Sequence, residues 1–190
     1  MPSDSPAPSA SSRSARDRIL DAFEELLAEQ SERAATLDAV AARAGVSKGG
    51  LLYHFASKEA LVGGLLSRFG TLVALDVQEM RTADAGPVDY FLRTSIPTDS
   101  RFERALVAVA RLAQAADTRA RDALGDAQRV WLLALEHAVG DPLAARMVML
   151  IGDGMYYNTA LLPAANTVLR DETDVDELIA LVRKIAGPAG

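Results

Sequence analysis

The sequence predicts an all-α chain. An N-terminal three-helix domain with helix-turn-helix punctuation is joined through a long helix to a larger α-helical domain. Three observations carry that expectation. Apolar residues recur at helical spacing, as in Ile19, Leu20, Phe23, Leu26 and Leu27, which share one helix face. Capping residues and Gly or Pro breaks cut the periodic stretches into helix-sized pieces. No strand-like alternation of useful length and no internal repeat occurs.

Residues 1–12, MPSDSPAPSASS, are rich in Pro, Ser and Ala without apolar periodicity and are expected to form a disordered tail. The first helix begins near Arg16. A second opens at Thr36, a good N-cap with Asp38 in the first turn, and runs to about Arg43. Gly45 follows, where a helix end favours a residue tolerant of positive φ. Ser47 caps a third helix and Ser57 a fourth, which runs to about Thr82. This fourth helix is apolar around most of its circumference (Leu61, Val62, Leu65, Leu66, Phe69, Leu72, Val73), so it is expected to be a buried central element.

Gly86-Pro87 precedes a short segment at 88–96, and Pro97 breaks the chain again. A helix from Asp99 or Ser100 reaches about Ala116, and one from Thr118 reaches about Val139. Asp141-Pro142 pairs a cap with the residue favoured at the first helical position, and its helix is expected to run to about Leu162. A loop spans 163–171. Thr173 or Asp174 then caps a last helix with Leu178, Ile179, Val182 and Ile185 on one stripe.

Composition narrows the class. The 190 residues contain no cysteine, which excludes disulfides and thiolate zinc sites. No run of about 20 apolar residues and no export signal is evident, so a cytoplasmic protein without a membrane partner is expected. Net charge is −6, and residues 1–60 carry seven cations against nine acids, so the charge total does not identify a nucleic-acid binder. Placement is more informative. Of three lysines, Lys48 and Lys58 fall within one short stretch, AGVSKGGLLYHFASKEAL, residues 44–61.

That stretch places two glycines at the start of its helix, where each costs about 1 kcal/mol relative to alanine. On a helical wheel Leu51 and Phe55 face inward, while Lys48, Leu52, Gly49 and Tyr53 lie on outward faces. Such a tip suits a DNA major groove. Gly49 and Gly50 would let the backbone approach bases and phosphate. Lys48 could reach guanine O6 and N7, and Leu52 could meet a thymine methyl. Tyr53, His54 and Lys58 would donate to phosphates. The plainer alternative is a loop at Gly49-Gly50 with the helix starting at Leu51.

The segment from about Arg16 to Leu66 resembles the DNA-binding domain of the tetracycline-repressor (TetR) family of bacterial transcription regulators. RILDAFEELLAEQ is followed by TLDAVAARAGVSKGGLLYHFASKEALVGGLL, which reproduces the family pattern A-x-x-A-G-V-S-x-x-x-L-Y-x-H-F-x-x-K-x-x-L with one Leu-Leu-Tyr step. The resemblance implies phosphate contacts from Thr36, Ser47, Gly50, Tyr53, His54 and Lys58. It implies base-edge contacts near Lys48, Gly49 and Leu52. Family members often carry a bulkier or hydrogen-bonding residue where Gly49 and Gly50 stand, so readout here would lean on Lys48 and DNA shape. Arg13, Arg16 and Arg18 are further candidates for phosphate or minor-groove contact.

The same resemblance divides the chain into a DNA-binding domain at 13–62 and an effector-binding and dimerisation domain at 63–190. It implies a homodimer on a pseudo-palindromic double-stranded operator. The sequence agrees independently: Met147-Val148-Met149-Leu150-Ile151 is apolar on all sides and needs cover on more than one face. Gly152-Asp153-Gly154 interrupts that helix. The two glycines permit close helix approach, and Asp153 could pair across the dimer, cap a break or orient a ligand. A small-molecule pocket is expected among the helices of the larger domain. Its candidate lining is Phe69, Phe102, Leu106, Gln128, Trp131, Leu135, Asp153 and Tyr156, with Val73, Phe91, Val109 and Met155 beside them. The lining is mostly apolar, which points to a hydrophobic or aromatic effector.

The function expected is a ligand-responsive regulator, a repressor released from DNA by its effector. The alternative is a helical ligand-binding or scaffold dimer without sequence-specific DNA binding. No enzyme is expected, nor a cofactor or metal. His137 has only Glu136 and Asp141 near it in sequence. GVSKGG lacks the Gly-Lys-Ser/Thr order and the preceding strand of a phosphate loop. DETDVDE lacks the Gly and the ligand spacing of a calcium loop.

Overall fold

A computed structural model of the chain describes residues 14–161, 168, 169 and 171–186. The tail at 1–12, Arg13 and most of the 163–171 loop lie outside the described residues. Every regular element among those described is helical: α1 (Ala15–Glu29), α2 (Leu37–Ala44), α3 (Lys48–His54), α4 (Lys58–Thr82), α5 (Pro87–Thr94), α6 (Arg101–Gln114), α7 (Thr118–Val139), α8 (Pro142–Tyr156) and α9 (Glu172–Ala186). The described residues fall into two compact units, divided between residues 65 and 66.

The first unit is built by local rules. Ser14 caps α1 by accepting from the Asp17 N–H at 3.0 Å. Thr36 caps α2 through the Ala39 N–H at 3.2 Å. Gly45 takes φ +65°, the left-handed conformation that ends α2 and turns the chain into α3. Ile19, Leu20, Phe23, Leu27, Val40, Leu51, Leu61 and Leu65 are fully buried and form the core. Gly64 is a steric requirement: a Cβ there would lie 2.5 Å from the Phe55 ring and 3.4 Å from Leu20.

In the second unit α7 packs on α6 and α8, and α5 packs on α7, α8 and α9. Met80, Leu92, Leu135, Val148, Ile179 and Val182 sit in one core. An ion-paired cluster accompanies it. Asp89, 5 % exposed, accepts from Arg93 Nε at 2.7 Å and lies 3.6 Å from Arg183 Nη1. Arg93 also reaches Asp176 at 2.8 Å, which ties α5 to α9. Gly152 permits the close α5–α8 approach, since a Cβ would fall 2.5 Å from Phe91 and 2.8 Å from Ser95 Oγ. Gly154 has open space at that position, so only one of the two glycines serves helix packing.

Several boundaries correct the sequence expectations. The helical run opened at Pro142 reaches Leu161, near its expected end, but its last five residues form a π-helical turn, Tyr157–Leu161, and not α-helix. Asn158 Nδ2 donates to the Gly154 carbonyl and Thr159 Oγ1 to the Met155 carbonyl, each at 2.7 Å, so side chains compete for the helix acceptors there. Asp171, rather than Thr173 or Asp174, caps α9: its Oδ1 accepts from the N–H groups of both. Ser100, not Asp99, caps α6.

Helix α4 is buried along one stripe, Leu61, Leu65, Phe69, Val73, Val77 and Met80, and not around most of its circumference, since Leu75 is half exposed. It is the one described helix long and apolar enough to cross a membrane by length and composition, although Arg68, Asp76 and Glu79 interrupt it and leave no run of about 20 apolar residues. Its stripe is instead covered by protein, as in a core helix.

Candidate nucleic-acid interface

Helix α3 begins at Lys48, so Gly49 and Gly50 are its first turn and not a loop. Ser47 supplies the cap, accepting from the Gly50 N–H at 3.0 Å. Leu51 and Phe55 are buried, as the wheel predicts. Lys48, Gly49, Leu52, Tyr53 and His54 are exposed, Tyr53 to 86 %. The Tyr53 and His54 rings meet edge to face with centroids 5.1 Å apart, which fixes their mutual orientation on the surface. Lys48, Leu52 and Tyr53 therefore share an outward face with Gly49.

The two glycines differ. A Cβ on Gly49 would find only Ser47 Oγ, at 4.0 Å, so nothing in the unit's own packing requires the missing side chain. A Cβ on Gly50 would lie 3.2 Å from Ser47 Oγ, the capping atom, so this position has a local reason of its own.

The surrounding charges are paired. Lys48 Nζ lies 2.9 Å from Asp38 Oδ1. Lys58 Nζ lies 2.6 Å from Glu32 Oε1 and donates to the Glu32 carbonyl at 2.6 Å. Arg43 bridges Glu25 at 3.1 Å and Glu29 at 2.9 Å. Its hydrogen bond to Glu29 lowers that carboxyl below the usual range and raises the guanidinium. Arg16 sits 5.2 Å from the centre of the Phe55 ring, a cation–π contact that occupies one candidate for phosphate binding. Thr36 and Ser47 remain exposed while capping their helices.

In the second unit Phe69, Phe102 and Trp131 come together. Phe69 and Phe102 stack at 6.1 Å, and Phe102 meets Trp131 edge-on at 5.8 Å, with Phe91 at 6.5 Å from the indole. Trp131 Nε1 donates to Asp76 Oδ2 at 2.8 Å. The Tyr90 hydroxyl lies 3.1 Å from Asp76 Oδ1 and 2.9 Å from Glu79 Oε2. Burial raises the Asp76 carboxyl and pushes the Tyr90 phenol far above its usual value. Sequence reasoning missed Asp76, Glu79 and Tyr90. The available signal was Asp76 itself, an acid three residues after Val73 and seven after Phe69 on an apolar helix.

The remaining pocket candidates are scattered. Leu135 is fully buried in the core and Leu106 is half-buried. Tyr156 is half-buried, its phenol raised by burial and by the nearby Glu103 carboxylate. Gln128 and Asp153 are exposed, although partial burial still raises the Asp153 carboxyl.

Helices α8 and α9 leave apolar surface uncovered. Leu143 and Leu150, one heptad apart, are 74 % and 70 % exposed, and Leu181, Ile185 and Tyr157 are more than half exposed. A groove of about 590 Å³ runs along this face, lined by Leu143, Met147, Leu150, Ile151 and Ile185 together with Asp141 and Arg146.

Residues 19–65 match the family model described as bacterial regulatory proteins, tetR family. A structure described as a TetR-family transcriptional regulator from Rhodococcus sp. superposes with a TM-score of 0.67 at 18 % identity, covering 91 % of this chain and 99 % of its own. A transcriptional regulator, SCO7518 from Streptomyces coelicolor A3(2), has a TM-score of 0.62 at 26 % identity, covering 88 % and 97 %. The SmeT–triclosan complex has a TM-score of 0.62 at 21 % identity, covering 94 % and 97 %. No curated protein is similar enough in sequence to count as a relative. The matched family is one of regulatory proteins rather than enzymes, and the Rhodococcus and Streptomyces neighbours are described as transcriptional regulators.

Proposed function

We propose that this chain, which has the fold and the N-terminal reading segment of TetR-family transcriptional regulators, is a homodimeric repressor that leaves its operator when a hydrophobic or aromatic small molecule binds. The observation that carries the DNA reading is Gly49: exposed at the start of α3, with no atom beyond its chain neighbours and its own helix backbone closer than 4.0 Å to where its Cβ would stand. A glycine that local packing does not require, next to an exposed lysine and an exposed tyrosine, fits close approach of a base edge or phosphate. Lys48, Gly49 and Leu52 face the bases in this reading. Thr36, Ser47, Gly50, Tyr53, His54 and Lys58 hold the backbone, with residues 13–62 as the DNA-binding domain.

The effector is assigned to the aromatic cluster of Phe69, Phe102 and Trp131 within 63–190, with Tyr156 near it. Support comes from the ring contacts and from the SmeT neighbour's complex with triclosan. The exposed apolar face of α8 and α9 supports the homodimer, and the protein is assigned to the cytoplasm. Coupling follows as a population shift, the effector favouring a state whose paired α3 helices no longer match successive half-sites.

The test is duplex binding by the full chain, using DNA that flanks its own gene. Retention that falls steeply with salt supports the reading. Absence of retention at low salt overturns it in favour of a scaffold dimer.

A further inference from the structure

The lysines that open α3 and α4, Lys48 and Lys58, are held by carboxylates of the chain itself, but in different settings. Lys58 is about three-quarters buried and also donates to a backbone carbonyl, which makes it an anchor. The Lys48–Asp38 pair stands in solvent, the two side chains 58 % and 70 % exposed. Lys48 Nζ lies 2.9 Å from Asp38 Oδ1 and 3.1 Å from Oδ2. Both carboxylate oxygens therefore face one ammonium, which has three N–H donors.

We infer that Asp38 is a specificity-determining residue that masks Lys48 from DNA phosphates, so that the ammonium contributes only where a base edge offers it a neutral acceptor. The inference rests on the DNA-binding reading above. If Lys48 turned to a phosphate, it would exchange one anion for another and leave a bare carboxylate facing a polyanion. A guanine edge makes no such demand. Its O6 and N7 are uncharged acceptors, so Lys48 can keep Asp38 and give a remaining N–H to the base. Non-cognate DNA thus gains nothing from Lys48, whereas a correctly placed guanine does.

Salt dependence reads this directly, because each phosphate newly neutralised by a cation steepens log K against log salt by about 0.9. The measurement is fluorescence anisotropy of the full chain on a short random-sequence duplex over a salt series. Asp38→Asn frees Lys48 and is expected to steepen the slope by about 0.9 per reading head. Asp38→Glu keeps the charge and is expected to retain the wild-type slope. Asp38→Asn combined with Lys48→Met should return to the wild-type slope, which assigns the gain to the unmasked ammonium.

Circular dichroism of each variant verifies the fold, and Asp38 is exposed in the first turn of α2, away from the core. An unchanged slope in Asp38→Asn, or a steep slope that persists in the double variant, overturns the mask while leaving the DNA reading intact. A wild-type chain that binds no duplex at low salt overturns the DNA reading and the mask with it.

Discussion

Trp131 Nε1 donates to Asp76 Oδ2 at 2.8 Å, joining α7 to α4 across 55 residues of sequence. The other carboxylate oxygen faces the Tyr90 hydroxyl, which also faces Glu79. The phenol has one hydrogen for two carboxylate oxygens. Burial raises the Asp76 carboxyl, and the Glu79 carboxylate adds to this, against the lowering by the Trp131 and Tyr90 hydrogen bonds.

Asp76→Asn is therefore expected to stabilise the fold near neutral pH. The amide oxygen keeps the Trp131 bond, the amide N–H donates to the Tyr90 oxygen, and the phenol is left for Glu79. The gain should be on the order of 1 kcal/mol. The sign with pH follows from the raised carboxyl. The folded wild type holds its proton more tightly than the unfolded chain, so this contribution to stability is present at acid pH. It is lost as pH rises past the unfolded value of about 3.9 and through the folded one. Urea unfolding at a series of pH values should show Asn and wild type converging below about pH 4 and separating above it. A variant that is less stable at neutral pH would show that the charge, not the shape, is needed.

Neighbouring glycines on α4 should respond in opposite directions to alanine. At Gly63 a Cβ would meet nothing within 4 Å, and alanine in an exposed helical position is favoured by about 0.5–1 kcal/mol. At Gly64 the same atom would sit 2.5 Å from Phe55, a ring that is itself 3 % exposed and has little room to move. Gly64→Ala is expected to cost about 1–3 kcal/mol. Thermal unfolding of the pair checks both signs, with equal effects counting against the packing described for the first unit.

What could be read from the sequence was set by range. Thr36, Gly45 and Ser47 act on backbone groups within a few residues, and each performs its expected local role. The all-helical fold and the inward Leu51 and Phe55 follow from periodicity. The Asp76–Trp131 bond joins residues with no periodic relation, so no local rule could pair them. The π-helical turn after Tyr156 depends on which carbonyls Asn158 and Thr159 capture, a competition that apolar spacing does not report. Gln128 lies one helical turn before Trp131 on α7, a spacing that puts both on one side of the helix, yet it is exposed, and burial along that side is set by tertiary packing rather than by spacing.

Gly49→Glu separates folding from DNA binding. Its Cβ has open space, and a carboxylate in the first turn of a helix is favoured by about 0.3–1 kcal/mol, so stability should be kept or slightly raised. Duplex binding should be lost, because the new side chain would place both bulk and negative charge on the surface assigned to the groove. Circular dichroism with anisotropy on flanking DNA measures the two properties together. Wild-type affinity in this variant would remove α3 from the interface.

Leu150→Glu tests the uncovered face of α8. Leu150 is 70 % exposed in one chain, so the substitution leaves the subunit core untouched and helicity should be retained. In a dimer closed over the groove, the same carboxylate would be buried without a partner. The penalty would be several kcal/mol, and in a two-fold contact it is incurred on both subunits. Sedimentation equilibrium is expected to show a monomer that is still folded and that holds half-sites only weakly, since each subunit then binds without its mate. The surface row through Leu143, Met147, Leu150 and Ile185 makes this a demanding test, because no single exposed leucine at the edge of a contact would have so large an effect. A dimer of unchanged dissociation constant would move the two-fold interface away from α8.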